Sequence, residues 1–384
     1  MPYDGAVIVG YGQTEYHKKS QRETIWYVVD AVRRALANAG IDKREVDGLG
    51  LSSFFIHPDN TATVAEHLGM SLRWGYLGTF GGASQGIGLL RAVRAIQHDE
   101  AEVVVLVAAD AFSIEAHMAL MDDFNTGMRD YLAPYGMGGT NGLFAMVERR
   151  HCYEFGTKKE QLGKLAVVQR GNAQLNPNAL LRTPMTMDDY LNARMICDPL
   201  RLYDCVLPCG GGEAIVVTSE RRARKSNRPK VRILSGGERT NYRPKDVVML
   251  EGGWVDFSRR LFQDAGVTHD DIDLLELYDD YPIMELLQIE GLGFCAKGEG
   301  GRFVEETDIS LTGRFPINTG GGQLSCGQSG AGGGGIGLTE AVMQLQGEAG
   351  ERQVKRAKTA LVSGFGMVGF VKGLCQTAVI LAND

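Results

Sequence analysis

Short apolar, β-branched runs alternate along the chain with longer segments whose apolar residues recur every three to four positions. Runs of the first kind fall at residues 6–12, 48–53, 103–110 and 213–220, then at 231–238, 274–279, 359–366 and 377–383. They read as strands. The segment 24–40 has helical spacing and ends on Gly40, and its counterpart is 255–266, ending on Gly266. Each is followed by an acidic turn leading into a strand. The order strand, helix, strand, helix, strand, strand is therefore given twice. Unbroken apolar strands point to a parallel sheet covered on both faces by crossover helices, an α/β fold.

The duplication is visible in the residues themselves. GIGLLRAVRAIQ at 86–97 and GIGLTEAVMQLQ at 335–346 share seven of twelve positions at a constant offset of 249. Each follows a glycine-rich stretch, FGGASQ in one case and GQSGAGGG in the other, and precedes a β-branched run. The region from about 112 to 199 fits neither copy and reads as an insertion in the first half. The expected domains are 1–225, with a loop insertion at about 112–200, and 226–384.

Composition narrows the function. At 384 residues with 44% hydrophobic and 23% charged residues, the chain has the make-up of a folded protein with more than one core. A net charge of −7 with scattered Lys and Arg disfavours a nucleic-acid or anionic-membrane binder. The seven cysteines are odd in number and lack paired spacing, which argues against a secreted disulfide framework. No signal-peptide pattern and no apolar run of transmembrane length is expected, so the predicted location is the cytoplasm. Cys205 and Cys209 lie four apart with no second pair or nearby histidine, so no metal site is expected. The glycine loops lack a dinucleotide fingerprint or a Walker lysine.

Four stretches carry a family resemblance: VIVGYGQTEY at 7–16, ELYDDYPIMELLQIEGLGFCAKGEGG at 276–301, INTGGGQLSCGQSGAGGGGIGLTEAV at 317–342 and ALVSGFGMVGF at 360–370. With the duplicated order, they resemble the thiolase superfamily, and within it the sterol-carrier-protein-x thiolases and the steroid side-chain aldolases. The resemblance implies a duplicated thiolase fold, two βαβαβαββ halves in five αβαβα layers. It also implies two glycine-loop-to-helix junctions facing each other, where helix N-termini stabilise a thioester enolate or oxyanion.

Position by position, the implied machinery departs from the family pattern. The cysteine of the first junction falls on Gly82, and the nearest hydroxyl is Ser84, a candidate nucleophile or a helix N-cap. The histidine of the second junction falls on Gln328, which donates to an oxyanion but shuttles no proton near neutral pH. Steroid aldolases place tyrosines at that point and at the acidic loop, and this sequence supplies only the second, Tyr278. Asp279, which follows it, is a further candidate catalytic residue, and Asp280 reads as the N-cap of the next helix. Gly82 and Gly366 are the implied oxyanion-hole positions. Cys326, on the glycine-rich loop, is the leading candidate for a displaced nucleophile, with a buried structural thiol as the alternative. Cys209, Met121 and Tyr131 are candidate substrate contacts.

Three functions remain open. One is thiolysis (or condensation) of a 3-oxoacyl-CoA through Cys326, the leading reading. The second is retro-aldol cleavage of a 3-hydroxyacyl-CoA, which needs only a base and an oxyanion hole. The third is a non-catalytic acyl-CoA-binding scaffold. No bound cofactor is expected; coenzyme A enters as substrate or product. The resemblance further implies a homodimer formed through the first half and a separate small subunit with a zinc ribbon and an OB-fold.

Overall fold

A computed structural model describes every residue except Met1, Pro2, Gly138, Pro244, Asp246, Val247, Val371 and Asp384. In the first half the chain runs β1 (Ala6–Gln13), α1 (Thr24–Ala39), β2 (Gly48–Ser52), α2 (Thr61–Leu68), β3 (Trp74–Leu77), α3 (Ser84–Gln97) and β4 (Val103–Ala111). An excursion follows: α4 (Ile114–Asp122), α5 (Gly139–Phe155), α6 (Lys159–Gln174), α7 (Met187–Leu191), β5 (Met195–Cys197) and β6 (Leu200–Arg201). The half closes with β7 (Gly210–Ser219) and α8 (Glu220–Ala223). The second half has β8 (Val231–Thr240), α9 (Trp254–Ala265), β9 (Leu274–Glu276), α10 (Pro282–Gly291), α11 (Gly300–Glu306), α12 (Gly322–Cys326), α13 (Ile336–Gln346), β10 (Thr359–Gly369) and β11 (Lys372–Asn383).

Strand pairing repeats the sequence duplication. In the first half β2 runs parallel to β4, β4 antiparallel to β7, and β7 antiparallel to β1. In the second, β9 runs parallel to β10, β10 antiparallel to β11, and β11 antiparallel to β8. Each half-sheet is thus mixed, which corrects the expectation of parallel strands. The cause is that β4–β7 and β10–β11 are antiparallel pairs, and β10 and β11 pair from Thr359–Ala382 to Gly369–Lys372 with no crossover helix between them. The halves meet edge to edge where β1 pairs with β8, at Val7–Arg232 and Ile8–Val231. Two elements escaped the pattern reading: β3, four residues with alternating exposure at the sheet edge, and the short β5–β6 pair.

Three apolar clusters lie between five layers. One joins α1 and α2 to the outer face of the first sheet, through residues such as Val28, Val32, Val64 and Val105. A second lies between the sheets and contains Leu89, Leu90 and Val93 of α3 with Leu338, Val342 and Leu345 of α13. The third joins α9, α10 and the excursion to the second sheet. The repeated helices therefore form the shared central layer, and their N-termini open toward the same interior space.

Buried polar links tie that layer to β9. The Arg352 guanidinium donates to Glu340 at 2.8–3.0 Å, and Thr319 donates to both Glu340 (3.0 Å) and Glu276 (2.7 Å), the last residue of β9. Both members of the ion pair are buried, so deleting one leaves an uncompensated charge. Arg352→Leu is expected to cost about 3–5 kcal/mol, read as a lowered urea midpoint at pH 7. Adding Glu340→Leu should restore much of the loss.

Candidate active site

Strand β9 stops at Glu276, three residues short of the expected strand, because side chains replace the ladder beyond it. Leu277 N–H donates to Asn318 Oδ1 at 2.8 Å. Gln288, one turn and a half into α10, clamps both backbone groups of Tyr278: its Oε1 accepts from Tyr278 N–H at 3.0 Å and its Nε2 donates to Tyr278 C=O at 2.7 Å. Asp279 turns inward and accepts from the amides of Gln323 (2.9 Å) and Leu324 (3.1 Å), anchoring the start of α12. The backbone around Tyr278 is thereby fixed as firmly as in a strand.

Its ring lies on Gly82. A Cβ built at Gly82 would stand 1.9 Å from Tyr278 Cε2, 2.4 Å from Cζ and 2.5 Å from the Phe365 carbonyl oxygen. A cysteine at position 82 and a tyrosine in this rotamer at 278 therefore exclude one another. The phenol occupies the space that a thiol would need.

Tyr278, Gln328, Gly82, Gly366 and Met121 line a single cavity of about 330 Å³. One end is polar and holds Tyr278, Asp280 and Gln328 beside the glycine backbones. The rest of the lining is mostly apolar and includes Phe54, Phe112, Ile114, Met118, Leu120 and Phe124. Burial, then the Asp280 and Asp279 carboxyls, push the Tyr278 phenol well above its ordinary value, opposed by the neighbouring Gln328 and Gln323 amides. A neutral phenol is a hydrogen-bond and proton donor at physiological pH.

The remaining candidates lie outside this cavity. Cys326 is buried, its Sγ donating to Gly320 C=O at 3.1 Å and accepting from Asn176 at 3.4 Å, and burial drives its thiol well above the ordinary range. It sits at the end of α12 among Tyr16, Ala173 and Cys209, so the thiolate character expected of a helix start is absent. Cys209 is fully buried in the same cluster with its thiol pKa raised by burial. Ser84 is the first residue of α3 rather than its N-cap; its hydroxyl accepts from Phe80 N–H at 2.9 Å. Asp279 is committed to α12, with burial raising it to about 7 against those amides. Tyr131 is exposed and packs near Phe370.

Two acids gain roles the sequence did not assign. Asp280 does not cap α10: the N-cap position is Tyr281, with no side-chain cap, and Pro282 follows. Its carboxyl lines the cavity instead, with Oδ1 buried and unpartnered. Asp110 binds the two loops at the cavity's rim, accepting from Ser53 Oγ, from the amides of Phe54 and Phe55 at 3.0 Å and from Ala331 N–H at 2.8 Å. Burial raises it to about 6 despite those donors. Cys205 also lines the cavity; burial and Asp204 push its thiol up to about 12.

Residues 241–382 match the family model described as thiolase C-terminal domain-like. A steroid side-chain-cleaving aldolase of Thermomonospora curvata is 33% identical over 83% of this chain and 85% of its own. The 17-hydroxy-3-oxo-4-pregnene-20-carboxyl-CoA lyase of Mycobacterium tuberculosis is 33% identical over 83% of this chain and 86% of its own. Among solved structures, one described as "Ltp2-ChsH2(DUF35) aldolase" is similar at a TM-score of 0.84 and 31% identity, over 99% of this chain and 98% of that one. The chain belongs to the thiolase superfamily. Within it, it stands beside the steroid side-chain aldolases and is a carbon–carbon bond-cleaving, thiolase-like enzyme.

The close fit of Tyr278 on Gly82 gives a direct test. Gly82→Ala should destabilise by about 1–3 kcal/mol, the usual cost of overpacking. In a Tyr278→Ala background the same change should cost clearly less, though not nothing, because the Phe365 carbonyl remains. Urea unfolding of the four proteins in this cycle measures the coupling.

Proposed function

We propose that this enzyme cleaves the C2–C3 bond of a 3-hydroxyacyl-CoA by a retro-aldol reaction with no covalent intermediate. The observation that carries this reading is the Tyr278 ring on Gly82. It removes the nucleophile that thiolysis needs and puts a proton donor in its place. The one cavity thiol, Cys205, favours the thiolysis alternative, but with its pKa near 12 it is protonated at neutral pH and is a poor nucleophile.

In a retro-aldol step the hydroxyl proton leaves, C3 becomes a carbonyl, and the C2–C3 electron pair passes into the thioester as an enolate. Tyr278, neutral at working pH, protonates C2 or holds the enolate oxygen by hydrogen bonding. The Gln328 side-chain amide and the backbones of Gly82 and Gly366 border the same space and supply further donors. The apolar end of the cavity suits a bulky hydrocarbon fragment, the kind of body for which the two lyase relatives are named.

The assembly follows from the same relatives. The similar solved structure pairs its chain with a DUF35 protein, and we extend that partnership here as a separate zinc-ribbon and OB-fold subunit that helps hold coenzyme A. A homodimer through the exposed edge strand β3 of the first half completes it. The seven unpaired cysteines support a reducing, cytoplasmic setting, and no helix among the described residues is long and apolar enough to cross a membrane.

Purified protein, alone and with a DUF35 subunit, should convert a 3-hydroxyacyl-CoA to a shortened acyl-CoA and a ketone or aldehyde without added CoA. Tyr278→Phe should lower kcat by about 10²–10⁴-fold, the span of a general acid–base group. Turnover that requires free CoA, with an acyl adduct on Cys205 in the intact mass, would establish thiolysis instead.

A further inference from the structure

The retro-aldol reading leaves one proton without an acceptor, that of the C3 hydroxyl. Five ionisable side chains line the cavity: His117, Cys205, Tyr278, Asp280 and Tyr281. Tyr281 donates its hydroxyl to Asn141 Oδ1 at 2.7 Å and lies 3.0 Å from Thr140 Oγ1. Cys205 points its thiol at the same Asn141 oxygen at 3.8 Å. Tyr278 is the proton donor of the other half-step. His117 sits on α4, packed edge-on to Phe112, with its Nδ1 also buried and unpartnered, and the test below separates it from Asp280.

We propose that Asp280 is the general base of this enzyme, resting on the retro-aldol reading above, and that it works as a pair with Tyr278. Three observations carry the assignment. Its Oδ1 is buried, borders the cavity and has no partner, a costly arrangement unless a ligand group completes it. The adjacent acid, Asp279, has both oxygens occupied by α12 amides, so the two neighbours have divided into an anchor and a free group. Finally, the helix that follows uses no side-chain cap, so the Asp280 carboxyl meets only the amides of its own loop, its own and that of Tyr281, and its Oδ1 is left for a ligand.

The proton path closes. The Asp280 carboxylate takes the proton of the C3 hydroxyl; the O–H electron pair forms the C3=O bond as C2–C3 breaks into the enolate. The Tyr278 hydroxyl gives its proton to C2. The Asp280 carboxylic acid then returns a proton to the phenolate, restoring both groups with no net proton gained or lost. The groups around Asp280 are suited to this exchange: Asp279 beside it, Tyr278 and Tyr281 on the same loop, and Glu285 from α10. Burial and the Asp279 charge hold its carboxyl well above the usual carboxylate range, opposed by the Tyr281 amide and its own. That brings its basicity toward that of the proton it must take. Because a base acts deprotonated, kcat/KM should fall as pH drops through this raised value, well above pH 4.

The test uses wild type, Asp280→Ala, Asp280→Asn and His117→Gln, in complex with the partner subunit if wild type requires it. Wild type is first shown to cleave a 3-hydroxyacyl-CoA without free CoA. Both Asp280 variants should then lose about 10²–10⁴-fold in kcat with KM changed by only a few fold. Added formate, which fits the space left by the deleted carboxyl, should restore turnover in Asp280→Ala with saturation and leave wild type unaffected. His117→Gln changes the cavity wall and is therefore read by its pH profile alone, which should keep the acid limb. Near-wild-type turnover in either Asp280 variant, loss without formate rescue, or an acid limb abolished by His117→Gln would overturn the assignment while the reaction stands. A wild type that needs free CoA would overturn the reaction reading itself, and the base with it.

Discussion

Backbone packed on backbone is the constraint from which the rest of the molecule follows. A Cβ at Gly334 would stand 2.4 Å from the Gly82 carbonyl oxygen, one at Gly366 would stand 1.8 Å from that of Phe80, and one at Gly364 would stand 2.9 Å from that of Gly82. The loop before α3 is thus enclosed by the loop before α13 and by β10, with no layer of side chains between. Only glycine permits that approach. It is also the reason two helix N-termini from different halves can face one small space, and why 51 glycines occur in a chain of 384 residues with many of them at these junctions.

Such contact leaves few positions from which chemistry can be offered. At the first junction Gly82 is already covered, and the group that covers it comes from the opposite half, at the end of β9. On the retro-aldol reading proposed above, the reactive side chain has in effect moved from the first loop to the strand that faces it. A phenol delivered that way approaches the same point in space as a thiol at position 82, but it donates a proton where a thiolate would attack. On that reading, steric exclusion at one glycine separates acyl transfer from bond cleavage without nucleophilic attack.

Much of this was legible in the residues. The repeat at 86–97 and 335–346 places α3 and α13, and the β-branched runs place β4, β7, β8, β10 and β11 to within a few residues at most ends. Strand direction was not legible, because buried strands of either polarity are apolar throughout. β3 was missed because a short edge strand with alternating exposure carries no continuous apolar run. Gly82, Tyr278 and Gln328 were found by position, yet their mutual contact lies in the third dimension: 196 residues separate Gly82 from the ring that rests on it. Asp280 was missed for a subtler reason. An acid just before a helix-starting proline ordinarily caps that helix, and the spacing holds no sign that Tyr281 takes the cap position instead and frees the carboxyl.

Apart from the carboxyls of Asp279 and Glu285, the side chains that hold or border the loop at 277–281 are amides rather than cations, and that choice has chemical consequences. Asn318, Gln288, Gln323 and Gln328 hold or border it with amides. The Arg352 guanidinium is kept behind Glu340. An arginine or lysine in the place of any of these amides would stabilise the Asp280 carboxylate and the Tyr278 phenolate. The carboxylate would then be a weaker base, and a phenolate would have no proton to give. Amides fix geometry through hydrogen bonds while leaving the protonation of both groups to burial and to each other. The proton exchange proposed for Asp280 and Tyr278 needs a setting without a neighbouring cation, and Asn318, Gln288, Gln323 and Gln328 hold the loop without supplying one.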